Sequence, residues 1–169
     1  MDHNKSITAS LELAQIGWVV PDIEAAVKLL GQTLGVPAFP PPEHVRAEDL
    51  AMTYYGAVVP GDWLTTQAYN GRMFIELIQP LSGSSMFHDY LQRYPLGGTQ
   101  HMAFRLPVSG FAAITAALRE QGHALISEVD HPIARMAFFD TYQALGLATE
   151  IMGITAEGWT AVQYMEQAG

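Results

Sequence analysis

Gln15-Ile16-Gly17-Trp18-Val19-Val20-Pro21 and His101-Met102-Ala103-Phe104-Arg105-Leu106-Pro107 superpose without a gap, apolar positions on apolar positions except for Val19 on Arg105, and proline on proline. Each stretch opens with one polar side chain, Gln15 or His101, and then continues as an apolar, branched run of the kind that forms a buried strand. A match at constant offset is the mark of an internal duplication, and the chain on either side of it repeats as well.

Around the first copy, Leu11 to Val20 reads as a strand. Asp22 caps a helix from Ile23 to about Leu34, with Ile23, Ala26, Val27, Leu30 and Leu34 on one face and Gly35 and Pro37 ending it. Pro37 to Glu48 holds three consecutive prolines and reads as a loop beside a ligand mouth. Three strands follow, Leu50 to Gly56, Asp62 to Tyr69 and Arg72 to Gln79, the last two joined by the hairpin dipeptide Asn70-Gly71. Around the second copy come a strand from Gln100 to Leu106, a helix from Phe111 to Gln121, and strands His123 to Glu128, Ile133 to Asp140 and Leu147 to Gly153.

The expectation is an α+β fold: two βαβββ modules forming a curved mixed sheet around a cavity, with helices on the outer face. One domain covers residues 1–169, with module one at about 8–80, a linker helix at about 84–95, module two at about 98–154 and a terminal helix at about 156–167, anchored by Trp159, Val162 and Met165.

Each module also closes on a polar residue inside an apolar strand. Glu76 stands in Phe74-Ile75-Glu76-Leu77-Ile78, and Glu150 in Ala148-Thr149-Glu150-Ile151-Met152. Removing a carboxylate from water costs several kcal/mol, so two such residues call for a compensating cation. Strand side chains alternate faces, and the same parity serves Gln15, Glu76, His101 and Glu150, which project into one cavity if the modules face each other. One imidazole, one amide oxygen and two carboxylates form a donor set suited to zinc, nickel, cobalt, manganese or iron, with positions left for water or substrate. Phe74, Ile78, Met152 and Gly17 share that parity and are expected to line the pocket. Arg105 and Arg72 share it too and are candidates to pair bidentately with a substrate carboxylate, the alternative for both being a salt bridge at the sheet margin. His3, His44, His88, His123 and His131 fall in loops or turns and are expected to be solvated.

Composition narrows the classes. The chain has 169 residues, 49% of them apolar and 15% charged, which suits a packed globule and not a disordered chain. Eight Lys and Arg against seventeen Asp and Glu give a net charge of −9, which opposes binding to nucleic acid or to an anionic membrane. The absence of cysteine removes disulfides, thiolate metal sites and cysteine nucleophiles. With no apolar stretch near the roughly 18 residues of a membrane span and no signal-like start, the protein is expected to be soluble and cytoplasmic.

Taken together, these residues resemble the vicinal oxygen chelate superfamily, which includes glyoxalases, bleomycin-resistance proteins and extradiol dioxygenases. The resemblance runs from about Leu11 to Gly153 and is carried by Gln15 to Ala26, Phe74 to Ser82, Gly98 to Phe104, and Ala137 to Asp140 through Gly146 to Glu150 and Ile151. It implies metal ligands at Gln15, Glu76, His101 and Glu150, a small-molecule substrate and a homodimer. The ligand set is most similar to that of glyoxalase I, whereas Glu76 to Ser82 and the linker look like methylmalonyl-CoA epimerase. Epimerases usually carry His where Gln15 stands and Gln where Glu76 stands, and here Thr65 and Thr66 occupy the strand on which a separate acidic base would be sought.

The expected activity is that of a divalent-metal-dependent isomerase, epimerase or lyase that removes a proton next to a carbonyl, and the resemblance implies Glu150 as base, with Glu76 as second choice. A non-catalytic small-molecule binder of the same fold is the alternative. An extradiol dioxygenase is disfavoured because its iron takes two His and one carboxylate, and only His101 is available.

Overall fold

The structure is a computed structural model and describes residues 11–36 and 39–168. The expected start of module one at about residue 8, the placement of His3 and the part played by Pro37 lie outside these residues. The elements are β1 (Glu12–Val19), α1 (Ile23–Lys28), β2 (Glu43–Arg46), β3 (Thr53–Tyr54), β4 (Ala57–Val58), β5 (Gly61–Asn70), β6 (Met73–Gly83), α2 (Met86–Arg93), β7 (Gly98–Pro107), α3 (Val108–Glu120), β8 (Leu125–His131), β9 (Ala134–Phe139), α4 (Tyr142–Leu145), β10 (Ala148–Ile154) and α5 (Ala156–Ala168).

All the strands join one ten-stranded sheet in the order β2-β5-β6-β1-β7-β10-β9-β8-β3-β4. Read outward from its centre, the order shows the duplication. β1 and β7 pair antiparallel, each has a parallel neighbour from the end of its own module (β6 or β10), and antiparallel strands follow on both sides. The two modules therefore meet within a single chain, along β1 and β7.

Residues 47–60 depart from this symmetry. They were expected to give a strand from Leu50 to Gly56 beside its own module, but Tyr55 and Gly56 both take positive φ (48° and 83°) and fold a tight hairpin from β3 and β4. That hairpin pairs with β8, at the far edge of the second module. β2 and β3 thus sit near opposite ends of the sheet, although the connection between them reaches at most about 25 Å. The sheet has to curl until its edges approach, and its concave face encloses a cavity.

Three other local expectations shift. Residues 43–46 form β2 and not a loop, because Pro40, Pro41 and Pro42 precede the strand, and Val45 pairs opposite the buried Trp63. His44 thereby stands against Asp62 (2.6 Å), whose carboxyl is held down at about 2 by hydrogen bonds from Ser82 and from His44. The first helix keeps its Asp22 cap on Ala25 N but widens into a π-turn over Leu29–Thr33. The β5–β6 hairpin turns on Gly71 (φ 68°) and Arg72, one residue later than Asn70-Gly71 suggests.

Helices α1 and α3 cover the convex face. Ile23 and Leu30 pack with Leu77, and Phe111, Ile114 and Leu118 pack with Phe139 and Ile151. The linker and terminal helices lie on the concave side instead. Phe87 of α2 joins Trp63 and Phe138, while Trp159 and Met165 of α5 close over Phe74 and Met152. The cavity thus has a helix at each end. Among the described residues no helix is long and apolar enough to cross a membrane.

Candidate functional site

The cavity has a volume of about 280 Å³, at the small end of the range for ligand sites. Its walls are largely apolar, and its polar groups fall at two ends. At one end the four residues singled out by the repeat converge. Gln15 comes from β1, flanked by irregularities in the β1–β7 register that fall between Leu13 and Gln15 and between Gly17 and Trp18. Glu76, His101 and Glu150 come from β6, β7 and β10.

Gln15 Nε2 donates to Glu76 Oε2 (2.6 Å) and lies 2.8 Å from His101 Nε2. The same imidazole nitrogen is 3.4 Å from Glu76 Oε2 and 3.5 Å from Glu150 Oε2. His101 is fully buried and Glu150 is 2% exposed. The Gln15 amide thus contacts both Glu76 and His101, and among the described residues no three His, Asp or Glu groups are already closed on one point. A half-turn of that amide presents its oxygen in place of its nitrogen.

Two supports for the site are not evident from strand parity. On the far side of His101, Gln100 Oε1 lies 2.7 Å from Nδ1, and Gln100 Nε2 donates to the Tyr142 hydroxyl (2.8 Å). With the proton on Nδ1, Nε2 keeps its lone pair facing the cavity, the arrangement a metal-ligating imidazole requires. Thr65 Oγ1 donates to Glu76 Oε1 (3.2 Å), so both oxygens of Glu76 have partners. The side chain of Gln100, adjacent to His101 in an otherwise apolar strand, was the available sign of the first support; the second required the β5–β6 register.

Glu150 is different. Its Oε2 is buried and accepts no hydrogen bond, and burial first, then the nearby Glu76, raises its pKa well above the usual carboxylate range. Without a cation, burial favours its protonated form. The folded chain then holds a proton that the unfolded chain releases near pH 4.5, so this group's stability contribution is complete below that value and declines as pH rises through the folded pKa. The slope is at most about 1.4 kcal/mol per pH unit. We expect melting temperatures of chelator-treated protein to fall from pH 5 to pH 8 more steeply than those of Glu150→Gln. Parallel profiles for the two proteins would contradict the protonated state.

The buried, unpartnered carboxylate oxygen and the donor set around it fit a divalent cation. Two carboxyl groups and an imidazole nitrogen face one another, and ionising the buried Glu150 there is costly without a positive charge.

Phe74 and Met152 line the cavity. Ile78 has the right parity but packs deeper, with Val19 and Phe87. Gly17 lines no wall and instead lies under the His101 ring, where a Cβ would come within 1.9 Å of Cε1. Arg72 is corrected: as a turn residue it is exposed, outside the cavity, and paired with Glu12 (2.6 Å). Arg105 does line the cavity, at the end away from His101, but its Nε meets Glu12 (3.1 Å) and its Nη2 meets Glu166 (2.6 Å). Those two edges are taken, so the expected bidentate grip on a substrate carboxylate is not open. Of the histidines placed in loops, His131 closes β8 and lines the cavity, and His88 is half-buried on α2, where desolvation lowers its pKa.

A curled mixed sheet made of two βαβββ halves, with polar side chains at matching positions on its concave face, defines a glyoxalase-type fold. The profile of the Glyoxalase/Bleomycin resistance protein/Dioxygenase superfamily matches residues 14–138, and the chain belongs to that superfamily.

Among solved structures it is similar to methylmalonyl-CoA epimerase from Mycobacterium tuberculosis, with 22% identity, a TM-score of 0.58 and 83% of this chain covering 85% of that one. A Streptomyces coelicolor methylmalonyl-CoA epimerase in complex with 2-nitronate-propionyl-CoA is 20% identical, with a TM-score of 0.59 and coverage of 86% and 94%. A hypothetical protein from Bacillus halodurans C-125 is 23% identical, with a TM-score of 0.59 and coverage of 85% and 94%. At these identities the likeness is one of fold. No curated protein sequence matches.

Proposed function

We propose that the chain is a divalent-metal-dependent isomerase, epimerase or lyase that moves a proton next to a carbonyl of a small oxygenated substrate. The observation that carries this reading is the buried carboxylate of Glu150, with an unpartnered oxygen in a cavity beside His101 and Glu76. Gln15, Glu76 and His101 would hold the ion, with Glu150 available as a fourth donor. When bound, the ion supplies Lewis acidity that offsets the negative charge developing on the substrate oxygens as the proton departs.

The chain's own residues do the rest. Glu150 Oε2 takes the proton from carbon and returns it, either to the same carbon or to its oxygen-bearing neighbour. Its burial at the centre suits that exchange. Glu76, held by Thr65 and Gln15, stays an acceptor at the centre. Gln100 and Tyr142 fix the imidazole, and Phe87 and Phe138 beside it exclude water. All four centre residues come from one chain, so the homodimer implied by the family is not needed to assemble them.

The test is solvent deuterium incorporation, followed by NMR, at the carbon beside the carbonyl of neutral 2-hydroxyketones. The expected result is exchange that requires both the protein and a divalent ion. A second reading, a non-catalytic binder, draws on the largely apolar walls; binding of the same compounds with no exchange at any ion supplementation would favour it.

A further inference from the structure

The end of the cavity opposite His101 has its own chemistry. Arg105 is 2% exposed, and although Nε and Nη2 are engaged by Glu12 and Glu166, its Nη1 is buried without a hydrogen-bond partner. Tyr69 lines the cavity as well, and the Trp159 ring packs 5.5 Å from the Arg105 carbon. Arg105 and His101 lie on the same face of β7, four residues or about 13 Å apart.

Charge decides what this end accepts. Arg72, Glu12, Arg105 and Glu166 form a continuous row of ion pairs whose formal charges sum to zero. Arg105 therefore offers a buried N–H donor but no uncompensated positive charge. It is also the sole Lys or Arg lining the cavity among the described residues, in a protein of net charge −9. A carboxylate brought here would lose its water and gain one hydrogen bond without a counter-ion; a neutral acceptor loses far less and satisfies the orphaned N–H.

We propose that the cavity takes a neutral, mainly apolar oxygenated compound, with its reacting oxygens at the Gln15–Glu76–His101–Glu150 end and a single uncharged hydrogen-bond acceptor at Arg105 Nη1. Phosphate-bearing thioesters and glutathione adducts are disfavoured, because the one Lys or Arg on the walls among the described residues, Arg105, is already paired with two carboxylates. The inference rests on the metal-centre reading only for which end of the ligand faces His101.

Three eight-carbon hydroxamic acids with the same chelating head and different tails test it: one ends in methyl, one in carboxamide and one in carboxylate. Calorimetric titration of the full chain, with and without a divalent ion, is expected to rank carboxamide above methyl and methyl above carboxylate, with at least about tenfold between first and last. Glu166→Gln, on the half-exposed α5, leaves Arg105 with net positive charge and is expected to raise carboxylate binding several-fold relative to carboxamide. Carboxylate binding as tight as carboxamide in the unaltered protein, or no binding of any of the three, overturns the proposal. The tail order persisting without dependence on the ion leaves it standing and counts against the metal centre instead, so the two readings fail separately.

Discussion

Glu150→Gln is expected to reduce ion-dependent deuterium exchange by about a hundredfold to ten-thousandfold, the range that a positioned general base supplies, while the protein folds as before. The fold survives because protonated Glu150 and glutamine have nearly the same shape, and the site already accommodates the neutral form: Glu150 is buried, its pKa is raised, and its Oε2 makes no hydrogen bond. In metal-free protein at pH 8 the variant is expected to be the more stable of the two, since it removes the cost of ionising a buried acid. Activity and stability thus move in opposite directions, a pairing that a purely structural glutamate does not produce. Exchange at the unaltered rate in a folded Glu150→Gln protein would remove it as the base and leave Glu76 as the candidate.

Gly17→Ala is expected to be nearly as damaging, although it alters no candidate ligand. The Gly17 backbone accepts any residue, but a Cβ there would sit 1.9 Å from His101 Cε1 and 2.2 Å from Nε2. The imidazole has nowhere to retreat: Gln100 holds its other nitrogen, and the Phe138 ring stands edge-on with centroids 5.3 Å apart. Overpacking of this kind costs about 1–3 kcal/mol, and any relaxation that admits the methyl moves Nε2 off the centre, so ion affinity is expected to fall at least about tenfold. Gly31→Ala serves as the control, because a Cβ there meets no atom within 4 Å. Equal melting temperatures and ion affinities in both variants would mean that His101 is not held where the structure places it.

The duplicated strands were legible in the sequence because burial and period-two alternation leave a strong trace in residue type. Gln15, Glu76, His101 and Glu150 stood out as polar residues in apolar runs, and one parity rule brought all four to the same face. What the sequence concealed depended on partners distant along the chain. The β3–β4 hairpin, which pairs with β8, turns at Tyr55 through a positive φ that no tyrosine advertises. A one-residue shift in the β5–β6 turn moved Arg72 from the cavity wall to the surface. For Arg105 the sequence favours a salt bridge over a substrate clamp but does not name its partners, Glu12 and Glu166 from β1 and α5, which take two of its three edges. Likewise, nothing in the periodicity of residues 156–168 distinguishes a helix on the convex face from one that closes the end of the cavity.

On the proposed reading, a doubly charged ion belongs between Glu76 and Glu150. The decisive experiment titrates chelator-stripped protein with zinc or manganese while measuring heat and released protons. One ion per chain is expected, bound with proton release because Glu150 has to ionise, and at least about a hundredfold weaker binding in His101→Ala. A chain that binds neither ion saturably, or a His101→Ala variant that binds as tightly as the unaltered protein, would contradict it.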